Sequence, residues 1–211
     1  MSPFGDQDQY LLMSGILSDC MVICGDKSWN LHKTILCTRS SYFKSVLLNN
    51  WPEAKISKVE ITEYTPDEID QLIRFIYLGK VNFQPFEKAH TILHNCARLW
   101  ILGDYFNVQA LCDEVMDYLT NKVVPRNGRL AEAQGFSLNP QDWLDAGRCI
   151  YTEYEKKHKL KDAFLAITLD KIFVRKQAIN MPEYKKLCRE YNQFGTDAML
   201  KLVKDGTTRL Q

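Results

Sequence analysis

Apolar and polar residues alternate from Cys20 to Cys24, with Cys20, Val22 and Cys24 on one face, and a period of two predicts a strand. Gly25-Asp26 is a tight-turn pair, so Ser28 to Leu31 is expected to return as the second strand of a hairpin. The period then changes. Lys33 to Thr38 and Ser41 to Leu48 read as two short helices with Ile35, Leu36, Phe43, Val46 and Leu47 inward and Ser40 as an N-cap, and Val59 to Ile61 reads as a third strand.

The strongest helical signal follows. Thr65 and Glu68 have capping-box spacing, Pro66 stands where a missing N–H costs nothing, and Ile69, Leu72, Ile73, Ile76 and Tyr77 recur at helical intervals before Gly79 closes the element. After a loop at 82–85, one stripe runs through Ala89, Ile92, Leu93, Cys96, Ala97, Trp100 and Ile101. A second runs through Val108, Leu111, Cys112, Val115 and Leu119, and the two are expected to form a helical hairpin turning at Gly103-Asp104. Between Val124 and Asn139 the periodicity stops at Pro125, Asn127-Gly128, Gly135 and Asn139-Pro140, which predicts a linker or long loop over 125–140. Beyond it lie four helical patterns: Trp143 to Tyr154, Leu160 to Ile172, Tyr184 to Tyr191, and a short last one on Met199, Leu200 and Val203. The expected organisation is therefore a segment 1–17, a domain 18–124, the linker 125–140 and an all-helical extension 141–211.

Composition narrows the classes. With 27 basic and 26 acidic residues, the net charge of +1 supplies no field to hold nucleic acid or an anionic membrane. Apolar runs such as Phe164 to Leu169 are far shorter than a bilayer requires, and Asp6 and Asp8 stand where a signal peptide carries basic residues, so cytoplasm or nucleus is the expected location. Seven cysteines form no C-x-x-C pair and fall mostly on apolar stripes, the pattern of reduced core thiols.

Several short motifs then occur in order. They are Ser18-Asp19 before the first strand, His32 and Leu36 in the first helix, Ser40-Ser41-Tyr42-Phe43, Glu60-Ile61, Phe75-Ile76-Tyr77-Leu78-Gly79, and Trp100 to Phe106 at the hairpin corner. Together they resemble the BTB (POZ) domain family, and the wording of the corner with its helical tail resembles short fungal members. The resemblance implies an α/β (α+β) fold: a small three-stranded sheet covered by a cluster of helices, followed by the helical extension. In the family motif Asp19, His32, Leu36, Ser40, Phe43, Tyr77 and Gly79 are structural. The resemblance further implies a non-enzymatic protein-interaction module without cofactor or metal. It is expected to act as an adaptor or assembly subunit of a cullin-based ubiquitin ligase, or alternatively as a homodimeric scaffold in transcription or chromatin. Cullin-binding members carry an apolar-x-Glu motif before the third strand, matched here by Trp51-Pro52-Glu53, and the corner residues Asp104, Tyr105 and Phe106 would join that contact. Tyr10, Leu11, Leu12 and Met13 are the candidate dimer contact.

Two constellations imitate chemistry. His90 and His94 have the i, i+4 spacing of a zinc-protease helix, but Thr91 stands where the general-base Glu belongs and no third ligand is indicated, so surface histidines are expected. Lys156-Lys157-His158-Lys159-Leu160-Lys161 is the basic cluster of the chain, read as a solvated connection between helices.

Overall fold

The computed structural model describes residues 5–49, 56–123, 139–153, 158–169 and 181–207. The sheet is built as the alternation predicts. Strands β1 (Cys20–Cys24) and β2 (Lys27–Leu31) pair antiparallel in the register Cys20 to Leu31 through Cys24 to Lys27. Gly25 makes the turn at φ 55°, a left-handed conformation that glycine adopts without a Cβ clash. Strand β3 (Lys58–Glu60) adds on the other edge of β1 in parallel, giving the order β2-β1-β3. Cys20, Val22, Cys24, Leu31 and Val59 are buried, so one face of the sheet carries the core.

Helices α1 (Gly5–Ser14), α2 (Lys33–Arg39), α3 (Ser41–Leu48) and α4 (Pro66–Leu78) surround it. In α4 the box closes in both directions: Glu68 N–H donates to Thr65 Oγ1 and Thr65 N–H donates to Glu68 Oε2 at 2.9 Å. Its five predicted inward residues are all buried, and Gly79 ends it at φ 66°. The orphan carbonyls of Ile76 and Tyr77 accept from the Arg39 guanidinium at 2.6 and 3.1 Å, while the same group pairs with Asp8 of α1 at 2.7 Å. That arrangement anchors α1, which also packs on α4.

The next stretch corrects three expectations. The predicted loop at 82–85 is helical in its second half, since Gln84 and Pro85 open the short helix α5 (Gln84–Lys88). It ends with His90 at φ 54°, and the bonds Thr91 N–H to Phe86 O and His90 N–H to Glu87 O close a Schellman motif. The following helix α6 (Ile92–Tyr105) therefore starts three residues later than the stripe from Ala89 suggests, Ala89 is exposed, and His90 and His94 do not share a helix. The hairpin turns at 106–108, not at Gly103-Asp104. Asn107 takes φ 52°, and Val108 N–H to Gly103 O and Asn107 N–H to Asp104 O form a second Schellman closure. Gly103 is a packing residue: a Cβ there would stand 3.0 Å from Cys112 Sγ and 3.2 Å from Leu111 Cβ of helix α7 (Gln109–Tyr118). A π-turn over Leu119–Val123 follows.

The predicted linker lies, apart from Asn139 and Pro140, outside the described residues. The tail contains α8 (Pro140–Glu153), α9 (His158–Leu169), α10 (Pro182–Glu190) and α11 (Asn192–Thr207). Its core is aromatic. Trp143 is fully buried, stacks on Phe164 at 5.4 Å and meets Phe194 edge-on at 5.8 Å, and its Nε1 donates to Thr168 Oγ1 at 3.0 Å. Gly147 lets α8 approach closely, because a Cβ there would stand 2.5 Å from Leu187 Cδ2 and 3.0 Å from Phe164 Cζ. Arg148 forms a bidentate pair with Glu190 at 2.8 and 2.7 Å. The last helix departs from expectation: Phe194 and Ala198 are its buried positions, whereas Met199, Leu200 and Val203 are exposed.

The chain divides into two compact units, Met1–Asn82 with Leu99–Glu114, and Phe83–Arg98 with Val115–Gln211. The second unit joins tail helices to segments 83–98 and 115–123. Buried Asp142 of α8 makes the connection chemical, since its two carboxylate oxygens accept the backbone N–H groups of Leu93 and His94, each at 2.9 Å, in the first turn of α6. Burial pushes the Asp142 carboxyl above its ordinary range, while those two donors pull it back down.

Candidate protein-interaction site

The corner at the end of α6 is held from beneath. Ser40 accepts the Phe43 N–H as N-cap of α3 and donates its hydroxyl to Phe106 O at 2.6 Å. Phe106 is fully buried, stacked on Phe43 at 5.6 Å and met edge-on by Tyr42 at 4.7 Å. Its ring is a prop inside the fold. Asp104 and Tyr105 face solvent, with Tyr105 36% exposed. Tyr105 lies 5.7 Å from half-buried Tyr42 and 5.4 Å from half-buried Tyr64. The result is a ridge of three tyrosines beside a carboxylate, a surface rich in rigid amphipathic side chains of the kind that anchors protein contacts. Sequence reasoning missed Tyr64, which sits in the loop before the α4 cap where no periodicity marks it. Trp51 and Glu53 lie outside the described residues.

The amino-terminal arm forms a second surface. Of the four candidate dimer residues, Tyr10 and Met13 are 63% and 69% exposed, whereas Leu11 and Leu12 are half-buried. Ile16 and Leu17 continue the exposed apolar strip.

Structural roles fall on the family-motif residues. Asp19 Oδ1 accepts the Lys33 N–H at 2.7 Å at the start of α2. His32 is buried, with Nε2 at 2.7 Å from Ile16 O and Nδ1 at 2.8 Å from Tyr77 Oη, which also accepts the His32 N–H at 3.0 Å. A carbonyl can only accept, so Nε2 carries a proton, and Nδ1 and the Tyr77 hydroxyl share the second hydrogen bond, leaving both ring nitrogens partnered. Burial pushes the Tyr77 phenol up to about 12. Leu36 is fully buried, and burial likewise raises the Cys20 thiol to about 12, an inert core thiol. Among the described residues no disulfide joins the cysteines, no group of three or more His, Cys, Asp or Glu is arranged to hold a metal, and no helix is long and apolar enough to cross a membrane.

The model of the BTB/POZ domain matches residues 9–123, more than half of the chain. Kelch-like protein 40a of Danio rerio is 21% identical over 79% of this chain and 28% of its own length, and human Kelch-like protein 41 is 26% identical over 52% and 17%. The chain thus spans less than a third of the curated relatives it matches. Among solved structures, the BTB domain of zebrafish PATZ1 covers 55% of this chain and 87% of its own, with 16% identity and a TM-score of 0.44. On the family match, the chain belongs to the BTB/POZ domain family and carries a non-catalytic protein-interaction module.

Proposed function

We propose that this protein is an adaptor or assembly subunit that binds the cullin scaffold of a ubiquitin ligase through the Asp104-Tyr105 corner together with the Trp51-Pro52-Glu53 motif. The observation that carries the reading is the corner itself: buried Phe106 and Ser40 fix the backbone, so Tyr105 is presented with little ordering left to pay on binding. In this reading residues 1–17 are an arm, 18–124 the interaction domain, 125–140 a connection and 141–211 a helical extension, working in the cytoplasm or nucleus. The test is capture of a purified cullin amino-terminal domain. Wild type binds, and Trp51→Ala plus Glu53→Ala, or Tyr105→Ala alone, weakens binding by roughly 30-fold, the scale of one aromatic hot spot of about 2 kcal/mol. Absence of capture by the wild type overturns the proposal.

The exposed strip Tyr10, Met13, Ile16 and Leu17 favours a second reading, a homodimeric scaffold in transcription or chromatin. A tight dimer abolished by Tyr10→Glu plus Met13→Glu, with no cullin capture, selects it.

A further inference from the structure

Helix α11 is apolar on two sides. Phe194 and Ala198 are buried in the tail core, while Met199, Leu200, Leu202 and Val203 are 65%, 64%, 39% and 61% exposed. At about 100° per residue, Leu202, Gly195, Met199, Val203, Thr196 and Leu200 follow one another round an outward arc of roughly 160°. No charged side chain falls on it. The charges of residues 192–204 are Asp197, Lys201 and Lys204, and all three stand on the flank that meets Lys161 and Asp162 of α9. A surface helix ordinarily turns its charges to water and its apolar stripe to the core. Here the outward arc is the uncharged one, and it forms a contiguous patch.

The arc is fitted for close contact. Gly195 is a poor helix former, and unlike Gly103 and Gly147 it has no packing reason of its own: among the described residues a Cβ there would meet nothing within 4 Å. Thr196, the polar side chain of the arc, donates its hydroxyl to Asn192 O of its own helix at 3.2 Å, so covering it strands no donor. The arc is also tapered about Met199. The small residues Gly195 and Thr196 precede it by four and three positions, and the large ones Leu202 and Val203 follow it by three and four. A second copy laid antiparallel across Met199 brings Leu202 over Gly195 and Val203 over Thr196, and two-fold symmetry repeats the match at the other end. A parallel copy would set small on small and large on large. Contact between copies also brings identical charges together, and an arc without charge has nothing to repel itself.

We infer that α11 packs antiparallel on α11 of a second copy, along Gly195, Thr196, Met199, Leu202 and Val203, with the two-fold axis at Met199. A seam of about two and a half helical turns lies at the low end of specific interfaces, below about 1,200 Å², so the dimer is weak and depends on concentration. It shares no residue with the cullin reading or with the Tyr10 to Leu17 strip, and stands independently of both.

Sedimentation equilibrium of the full chain, from low to high micromolar concentration, is expected to show monomer passing into dimer. Met199→Glu plus Val203→Glu raises the dissociation constant at least about tenfold, whereas Tyr10→Glu plus Met13→Glu leaves it unchanged. Gly195→Leu gives a split readout: the dilute monomer melts no lower than wild type, because its own chain leaves the space open, yet association is lost. Mixing Thr196→Cys with Val203→Cys chains yields a disulfide-linked heterodimer faster than either variant alone or the wild type. Circular dichroism confirms that each variant is folded. A chain monomeric throughout overturns the inference and assigns the arc to a different partner. Association that survives Gly195→Leu or the Met199 and Val203 pair, or that the Tyr10 and Met13 pair abolishes, overturns it as well. So does preferential cross-linking of Thr196→Cys to itself, the mark of a parallel pair.

Discussion

Replacing Asp142 by alanine tests whether a tail residue holds the start of α6. The carboxylate accepts two backbone donors at 2.9 Å, and Leu93 is buried, so its N–H would lose that acceptor with no ready access to water. Capping losses amount to about 0.5–2 kcal/mol, and a buried unsatisfied donor costs about 1–3 kcal/mol. Against this, removing a carboxylate whose burial raises its pKa relieves a desolvation cost. The balance is a loss of about 2–3 kcal/mol, or roughly 4–12 °C in Tm for a chain of this size. Asparagine, which keeps one acceptor oxygen, should lose less than half as much. Thermal melts give the totals, and hydrogen exchange of the peptide over 92–98 shows whether the loss is local to that turn. An alanine cost under about 0.5 kcal/mol, or unchanged exchange at Leu93 and His94, refutes the reasoning.

Gly147→Ala gains up to about 1 kcal/mol of helix propensity but forces Leu187 and Phe164 apart, at about 1–3 kcal/mol for overpacking, so a net loss near 1–2 kcal/mol is expected in urea melts. Tyr77→Phe should cost about 1–3 kcal/mol, because the buried His32 N–H loses its acceptor while shape is preserved, and an unchanged midpoint would contradict the network. The Arg148 hydrogen bond holds the Glu190 carboxyl below its usual value of 4.5. A lowered folded-state pKa contributes stability above the unfolded value that disappears as pH falls through the folded one, so Glu190→Gln should be less stable than wild type at neutral pH and equal to it in acid. A difference that ignores pH would rule that out.

What could be read in the sequence was local chemistry with a backbone consequence. The Thr65-Glu68 box, Pro66 and Gly79 specify α4 within a few bonds of the chain, and all five of its predicted inward residues are buried. Alternation gave β1 its partner and its face. Glycine misled where its reason was tertiary: Gly103 looks like a turn residue, yet it lies inside α6 because α7 leaves no room for a Cβ, and the actual turn uses Asn107. His90 stops a helix through its backbone, taking a left-handed conformation more usual for glycine. The Asp142 cap joins residues almost fifty positions apart, so no window of sequence contains it. At the candidate site, Asp104 and Tyr105 came from the family resemblance, whereas the burial of Phe106 and the neighbouring Tyr64 required packing to be known.

The two carboxylates that close helix ends or brace them have a practical meaning for anyone cutting this gene. Asp8 falls one position ahead of the family match and Asp142 well behind it, so a fragment trimmed to 9–123 would discard the partner of Arg39 and the acceptor for the first turn of α6 together. The stretch that homology recognises is shorter than the stretch that folds, and expression boundaries belong outside both acids.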